Sequence, residues 1–336
     1  MRIPSIFNLL LFSLCLAVAA PSAAAAVASE RSTHATSREH LKDIVTQILH
    51  SMETHNSHVL PLATVYKATE NGHGASLAMM TLWRTIVKAE SPSMLAIDTI
   101  QGSAYFATTV SEGNSKAEAV LRGRVKVVDG RITELELFIN RTRGDDGYAF
   151  SSTELADNFK VLMSPPKNRV KASRAKLEAI GAAAWDSSDN LSVSVSDTCQ
   201  FTEVGWKIID TGVYGNESSS PLTCSWGTTR PTDLTARTSL VIDEELGFIV
   251  TSGLTQGKVY PYYGDISTFI PDSMSAPQKA QEAWFNEVKK QGNLTLVAPT
   301  EATGENLEVL QFFNDKLQAL QFNVLLSGPN MTSSWV

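Results

Sequence analysis

The chain has 336 residues, 43% of them hydrophobic and 19% charged, with a formal charge of −7. That composition belongs to a globular protein and excludes disordered and fibrous classes. A net acidic chain without basic clusters also has no electrostatic attraction for nucleic acid or an anionic membrane surface.

At the N-terminus, Arg2 precedes the apolar run "FNLLLFSLCLAVAA" (7–20), followed by the small residues of "PSAAAA". The run is short for a bilayer span, so residues 1–24 read as a cleavable secretory signal, with no membrane span expected after it. The next element is "SREHLKDIVTQILHSM" (37–52). Its stripe of Leu41, Ile44, Val45, Ile48, Leu49 and Met52 predicts an amphipathic helix with Ser37 as N-cap. His50, His55 and His58 do not share one helical face, so they predict solvated surface rather than a metal site.

"TENG" (69–72) has two readings. Glu70 and His73 could share a proton, each tuned by partial burial, or Thr69–Gly72 could be a turn capping the following helix, with Glu70 hydrogen-bonded to backbone. That helix is expected at "SLAMMTLWRTIVKA" (76–89), which carries Trp83. "SMLAIDTIQGSAYFATTV" (93–110) reads as extended, and Asp98 within it is either edge-exposed or lines a cavity. "VKVVDGRITELELFI" (125–139) predicts a hairpin turning at Asp129-Gly130, with Leu135, Leu137 and Ile139 on one face. "SPPKNRV" (164–170) marks a boundary, because paired prolines cannot continue regular structure.

Beyond it, "SRAKLEAIGAAAW" (173–185) predicts a second capped helix, and "TEVG" (202–205) echoes "TENG". "ARTSLVIDEELGFIVTSGL" (236–254) reads as strand, turn, strand, with Asp243, Glu244 and Glu245 as solvated turn acids. The aromatic "YPYYGD" (260–265) leads toward "PQKAQEAWFNEVKKQ" (277–291). "LQFFNDKLQALQFNV" (310–324) is a second hairpin that aligns without gaps on residues 125–139, turning at Asn314-Asp315. The landmarks therefore describe two copies of one α+β plan, the second enlarged near 214–233 and 260–291. A curved sheet wrapped on its own N-terminal helices would enclose an apolar cone.

Three cysteines are present, and Cys15 leaves with the signal. Cys199 and Cys224 remain, an even pair in an oxidising compartment, so a disulfide between them is expected. Asn140, Asn190, Asn216, Asn293 and Asn330 begin N-glycosylation triplets, which predicts that these positions lie at the surface. No nucleophile elbow, phosphate loop, dinucleotide fingerprint or zinc-protease motif occurs. That leaves cofactor-free chemistry in a pocket, with Glu70, His73 and Asp98 as candidate acids and bases. Trp83, Trp206, Tyr260, Tyr262 and Tyr263 are candidate pocket aromatics.

The order of helix, "TENG", "VVDGRITELE", "ASRAKLE", "TEVG", "VIDEELG" and a terminal "MTSSW" resembles fungal secreted proteins with tandem SnoaL-like, NTF2-like domains. The resemblance covers nearly all of the mature chain. It implies one cone domain over 37–160, a linker over 161–172 and a second domain over 173–336. Two such domains could pack sheet to sheet as a pseudo-dimer within one chain. It further implies a hydrophobic small-molecule partner, no cofactor or metal, and activity as a cyclase or isomerase of polyketides or terpenoids, including intramolecular cycloaddition. An epoxide hydrolase or dehydratase, and a secreted non-catalytic binder of an apolar molecule or glycan, are the alternatives.

Overall fold

The computed structural model describes residues 36–141, 152–204, 206–207, 224–227, 230–260, 268–273, 275–290 and 298–335. The expected signal segment, Asn216, Asn293, Tyr262 and Tyr263 lie outside the described residues, as does the side chain of Trp206.

Helix α1 (Arg38–Glu53) begins where Ser37 Oγ accepts the His40 amide, and its apolar stripe is fully buried. Strands β1 (Leu62–Glu70) and β2 (His73–Gly74) flank the "TENG" turn. They are followed by the four-residue α2 (Leu82–Thr85), β3 (Ile86–Ala89), β4 (Met94–Asp98), β5 (Ser103–Glu112), β6 (Ala117–Val128) and β7 (Arg131–Asn140). Helix α3 (Ser152–Leu162) precedes α4 (Arg174–Ala184), whose cap Ser173 accepts the Lys176 amide. Then come β8 (Ser194–Glu203), β9 (Trp206–Lys207), β10 (Arg237–Asp243), β11 (Phe248–Tyr260) and β12 (Thr268–Pro271). Helix α5 (Ser275–Lys290) leads to β13 (Thr300–Phe313), β14 (Lys316–Phe322) and β15 (Val324–Ser327).

The long helix expected over 76–89 is not formed. A 3₁₀ turn (Leu77–Met79) and α2 occupy its first part, and Ile86 then enters the sheet opposite Glu112. The β-branched Thr85-Ile86-Val87 run explains the switch, because such side chains resist helix and fit a pleated edge.

The two sheets share one connectivity. The first runs β2-β1-β7-β6-β5-β3 with β4 also on β5; the second runs β9-β8-β14-β13-β11-β10 with β12 on β11 and β15 on β13. In each, the strand ending in the TE-x-G turn lies parallel to the last hairpin strand: Glu70 faces Leu137, and Glu203 faces Phe322. Asn71 and Val204 both take positive φ at the same place in their turns. Both hairpin turns do so at two successive residues, Asp129-Gly130 and Asn314-Asp315, as a tight antiparallel turn requires. Register shifts within both sheets mark the bulges that let them curl.

Three apolar layers follow. Helix α1 packs on one face of the first sheet, and α4 packs on one face of the second. The remaining faces meet each other through Met94, Tyr105, Phe138, Val241, Leu307 and Val309, with Leu155 and Phe159 of α3 joining this middle layer. The described residues belong to a single compact unit, His34–Val336.

The junction between the sheets is held by reciprocal ion pairs. Arg38, beside the α1 cap, donates to Asp243 at 3.1 and 2.7 Å. Arg174, beside the α4 cap, donates to Asp98 at 3.1 and 2.8 Å. Asp243 also accepts the Ile97 amide, and Asp98 accepts the Ile242 amide. Asp243 is thus fully buried, which corrects the expectation of a solvated turn acid. The carboxylate is tolerated there because a two-pronged guanidinium and several amides satisfy it.

Cys199 and Cys224 form a disulfide across 25 residues of sequence. It stabilises by about 3 kcal/mol in the chain-entropy model, and it is compatible with a secreted protein. No helix among the described residues is long and apolar enough to cross a membrane. Of the glycosylation triplets, Asn190 and Asn330 are exposed. Asn140 departs from the surface expectation: it is 3% exposed, and its Oδ1 accepts from Arg122 at 2.8 Å. Its strand end turns that side chain into the middle layer.

Candidate functional site

The structure pairs Glu70 and His73 across the β1–β2 turn and sets Asp98 apart from both. The Glu70 carboxylate accepts from the Thr81 hydroxyl and the Leu82 amide, so it caps α2. His73 lies opposite it in the β1–β2 register and is exposed. Asp98 lies four strands away in the first sheet, roughly 19 Å at ordinary strand spacing. Besides Arg174 and Ile242, it accepts the Ile100 and Gln101 amides. Trp83 is 2% exposed inside the first apolar layer, its indole N–H donating to Ser51 Oγ at 3.0 Å. Tyr260 is buried, and its hydroxyl donates to Glu282 at 3.2 Å. Among the described residues, no three His, Cys, Asp or Glu side chains converge as a metal site.

A different constellation lies on the α4-facing side of the second sheet. Strands β11 and β13 pair without interruption from Phe248–Gln311 to Val259–Thr300. Ile249 and Leu310 pack against α4, so the alternation of a strand puts Thr251, Gly253 and Thr255 on that face with Asn306 and Glu308. Glu308 stands directly opposite Thr251. Trp185 caps α4 and lays its ring over Gly253, where a Cβ would come within 2.6 Å of it; its indole N–H donates to Thr251 Oγ1 at 2.8 Å. Asn306 Nδ2 donates to Thr255 Oγ1 at 3.0 Å, while Asn306 Oδ1 is buried without a partner.

Glu308 is 5% exposed and has no hydrogen-bond or ion-pair partner among the described residues. Burial pushes its pKa up to about 8. Nothing charged offsets that burial, so at neutral pH the group is mainly a neutral carboxylic acid in a largely apolar setting. Such an acid can give a proton to a bound molecule and take one back. The sequence carried a signal for it. The gapless alignment of the two hairpins, extended toward their N-terminal ends, sets Glu308 against Gly123 and Asn306 against Leu121. A carboxylate replacing glycine in an apolar strand was the feature to notice.

The opposite face of β13 carries a second buried acid. Glu305 is 1% exposed and neither carboxyl oxygen has a partner. Burial, then the nearby Glu136 carboxylate, raise its pKa to about 7 against the opposing pull of Arg237. Arg237 itself donates to Glu136 and to Ser252 Oγ. A cleft of about 780 Å³ opens nearby, where residues 253–256 of β11 lie between the stretches paired to β10 and β12.

No family model matches the chain, and no curated protein matches it in sequence. Parts of the chain are similar to solved structures. A designed protein with a curved β-sheet is 11% identical, over 37% of this chain and 97% of that one, with a TM-score of 0.27. A candidate polyketide cyclase from Sinorhizobium meliloti is 22% identical, over 28% of this chain and 93% of that one, with a TM-score of 0.24. A candidate isomerase from Rhodopseudomonas palustris is 12% identical, over 31% and 92%, with a TM-score of 0.25. Likenesses this weak carry no argument about activity.

Proposed function

We propose that this protein is a secreted, cofactor-independent cyclase or isomerase of a hydrophobic polyketide- or terpenoid-type molecule. In this reading it consists of two tandem SnoaL-like, NTF2-like units, and the second carries the working site. The observation that supports it is Glu308, a buried carboxyl without a partner among the described residues, facing Thr251 beside the Trp185 ring. Glu70 and Asp98 receive no chemical role here, since each is engaged by hydrogen bonds from its surroundings, and His73 is exposed.

The chemistry needs only one proton in circulation. Neutral Glu308 delivers its proton to an unsaturated or oxygen-bearing carbon framework. The bond rearrangement or ring closure proceeds, and the Glu308 carboxylate removes a proton from a neighbouring carbon. The enzyme returns to its starting state and the substrate is isomerised with no net gain or loss of atoms. The apolar wall holds a reactive conformer, and the unpartnered Asn306 Oδ1 is free to accept a substrate hydroxyl.

The test uses 5-androstene-3,17-dione, an apolar β,γ-unsaturated ketone whose isomerisation needs only such a proton relay. The wild-type chain should bind and isomerise it. Glu308→Gln should lower kcat about 10²–10⁴-fold with binding retained. Equal turnover in the variant, or no binding of the ketone by the wild type, would sink the reading.

A further inference from the structure

We propose a second ligand site, which borders the Glu308 face at Thr255 but does not include Glu308, in which the cleft beside β11 holds a neutral polyhydroxylated molecule and Glu305 receives one of its hydroxyls. The cleft wall is rich in hydroxyl groups, among them Ser187, Thr232, Thr235, Ser273 and Ser333, and it includes no lysine or arginine. Asp233, Thr235, Leu254 and Ser333 are shared with an inner recess of about 10 Å³ that is also lined by Glu305 and Arg237. That volume holds about one water-sized or hydroxyl-sized group. The two unpartnered oxygens of Glu305 therefore border a space suited to a single polar head, with a much larger space outside it for the body of the ligand.

The neighbouring groups narrow the chemistry. The wall carries two acids, Asp233 and Asp272, and Asp233 already accepts from the Leu254 amide and from Thr235. The groups facing Glu305 from the first sheet are Glu136 and, joined to it, Arg124; from the second sheet comes Arg237, bound to Glu136. Lys67, Arg124 and Arg237 all approach the Trp335 ring, which closes this corner. Both guanidiniums are committed to Glu136, and the exposed Lys67 ammonium lies over the outer Trp335 ring and is not among the residues lining the recess. A hydroxyl can accept the proton of neutral Glu305 and donate in turn to Ser252 or Ser333. The terminal segment forms one wall, fixed by the Met331 amide on Thr303 Oγ1 and by the Ser334 hydroxyl on the Gly72 carbonyl.

Ligand-observed NMR of the full chain with glucose, mannose, galactose and N-acetylglucosamine tests this. At least one sugar should bind saturably at millimolar concentration and weaken several-fold from about pH 6 to about pH 8, as Glu305 loses its proton. Glu305→Gln should bind without that pH dependence, and Thr235→Trp, which fills the cleft, should lose binding. In the unmodified chain the amide shifts should centre on Leu254–Gln256 and Ser333, a readout that needs no variant to fold. The proposal fails if no sugar binds, if Thr235→Trp binds normally, if the wild-type affinity is flat with pH, or if the shifts centre elsewhere. Glu308→Gln should leave this binding intact, so failure here and failure of the isomerase reading are distinguishable.

Discussion

At one register position the two sheets face their helices with opposite chemistry. In the first sheet Phe106 stands opposite Gly123, and in the second Thr251 stands opposite Glu308. The Phe106 ring lies so close over Gly123 that a Cβ there would come within 2.5 Å of it. Leu121 and Val125 continue that face as apolar core, whereas Asn306 follows Glu308 on the other. One scaffold is thus closed by a ring lying on a glycine. The other exchanges the ring for a hydroxyl and the glycine for an acid. The first arrangement favours stability, whereas burying a carboxyl without a partner is a cost to the second.

The largest expected effect comes from forcing the second arrangement on the first. Gly123→Glu would drive a side chain into Phe106 and Leu137 and bury a charge with them. A loss of at least about 4 kcal/mol is expected, enough to prevent folding or lower the urea midpoint severely. The converse change, Glu308→Leu, should be tolerated and should raise the midpoint at neutral pH. If both changes cost the same, the contrast between the faces has been misread.

Next in size is the seam that joins the sheets. Asp98→Ala leaves the Arg174 guanidinium without its main partner and strands the Ile100, Gln101 and Ile242 amides. Removing one member of such a buried pair costs about 3–5 kcal/mol. Asp243→Ala should cost somewhat less, because Arg38 is 34% exposed against 19% for Arg174 and can be rehydrated more readily. Urea titrations of the two variants should rank in that order.

These contrasts also show what the amino-acid order discloses. The capped helices were readable because Ser37 and Ser173 precede clean apolar stripes, and the hairpins because Asp129-Gly130 and Asn314-Asp315 sit between alternating runs. Local signals suffice there. The segment 76–89 misled because its apolar spacing fits a helix while Ile86 and Val87 favour an edge strand, and tertiary pairing decided between them. Asp243 and Asn140 differ from a sequence-based expectation for another reason. Their burial depends on Arg38 and Arg122, partners supplied by fold geometry that no local pattern announces. Glu308 is intermediate. The acid is plain in "ENLEVLQFF", but its meaning appears only when β11 supplies Thr251 opposite it.

The smallest effect is the most diagnostic for the second sheet. A carboxyl whose pKa is raised to about 8 on folding keeps a proton that the unfolded chain releases near its ordinary value of 4.5. Between those two values the native state holds more protons, so stability falls as pH rises. The contribution is fully present below about pH 4.5 and is lost as pH passes through about 8. Glu308→Gln removes this dependence while nearly preserving shape. The difference in unfolding free energy between wild type and variant should therefore change by about 3–4 kcal/mol between pH 5 and pH 8, with the variant gaining in relative stability toward alkaline pH. Parallel urea titrations of the two proteins isolate the term, because all other titrations are common to both. Val120→Gln, which alters a buried residue of the first sheet at the position facing Asn140, should lower stability without any such slope. Parallel curves for wild type and Glu308→Gln would mean that the Glu308 carboxyl is solvated or paired in solution, and the contrast between the two faces would lose its chemical content.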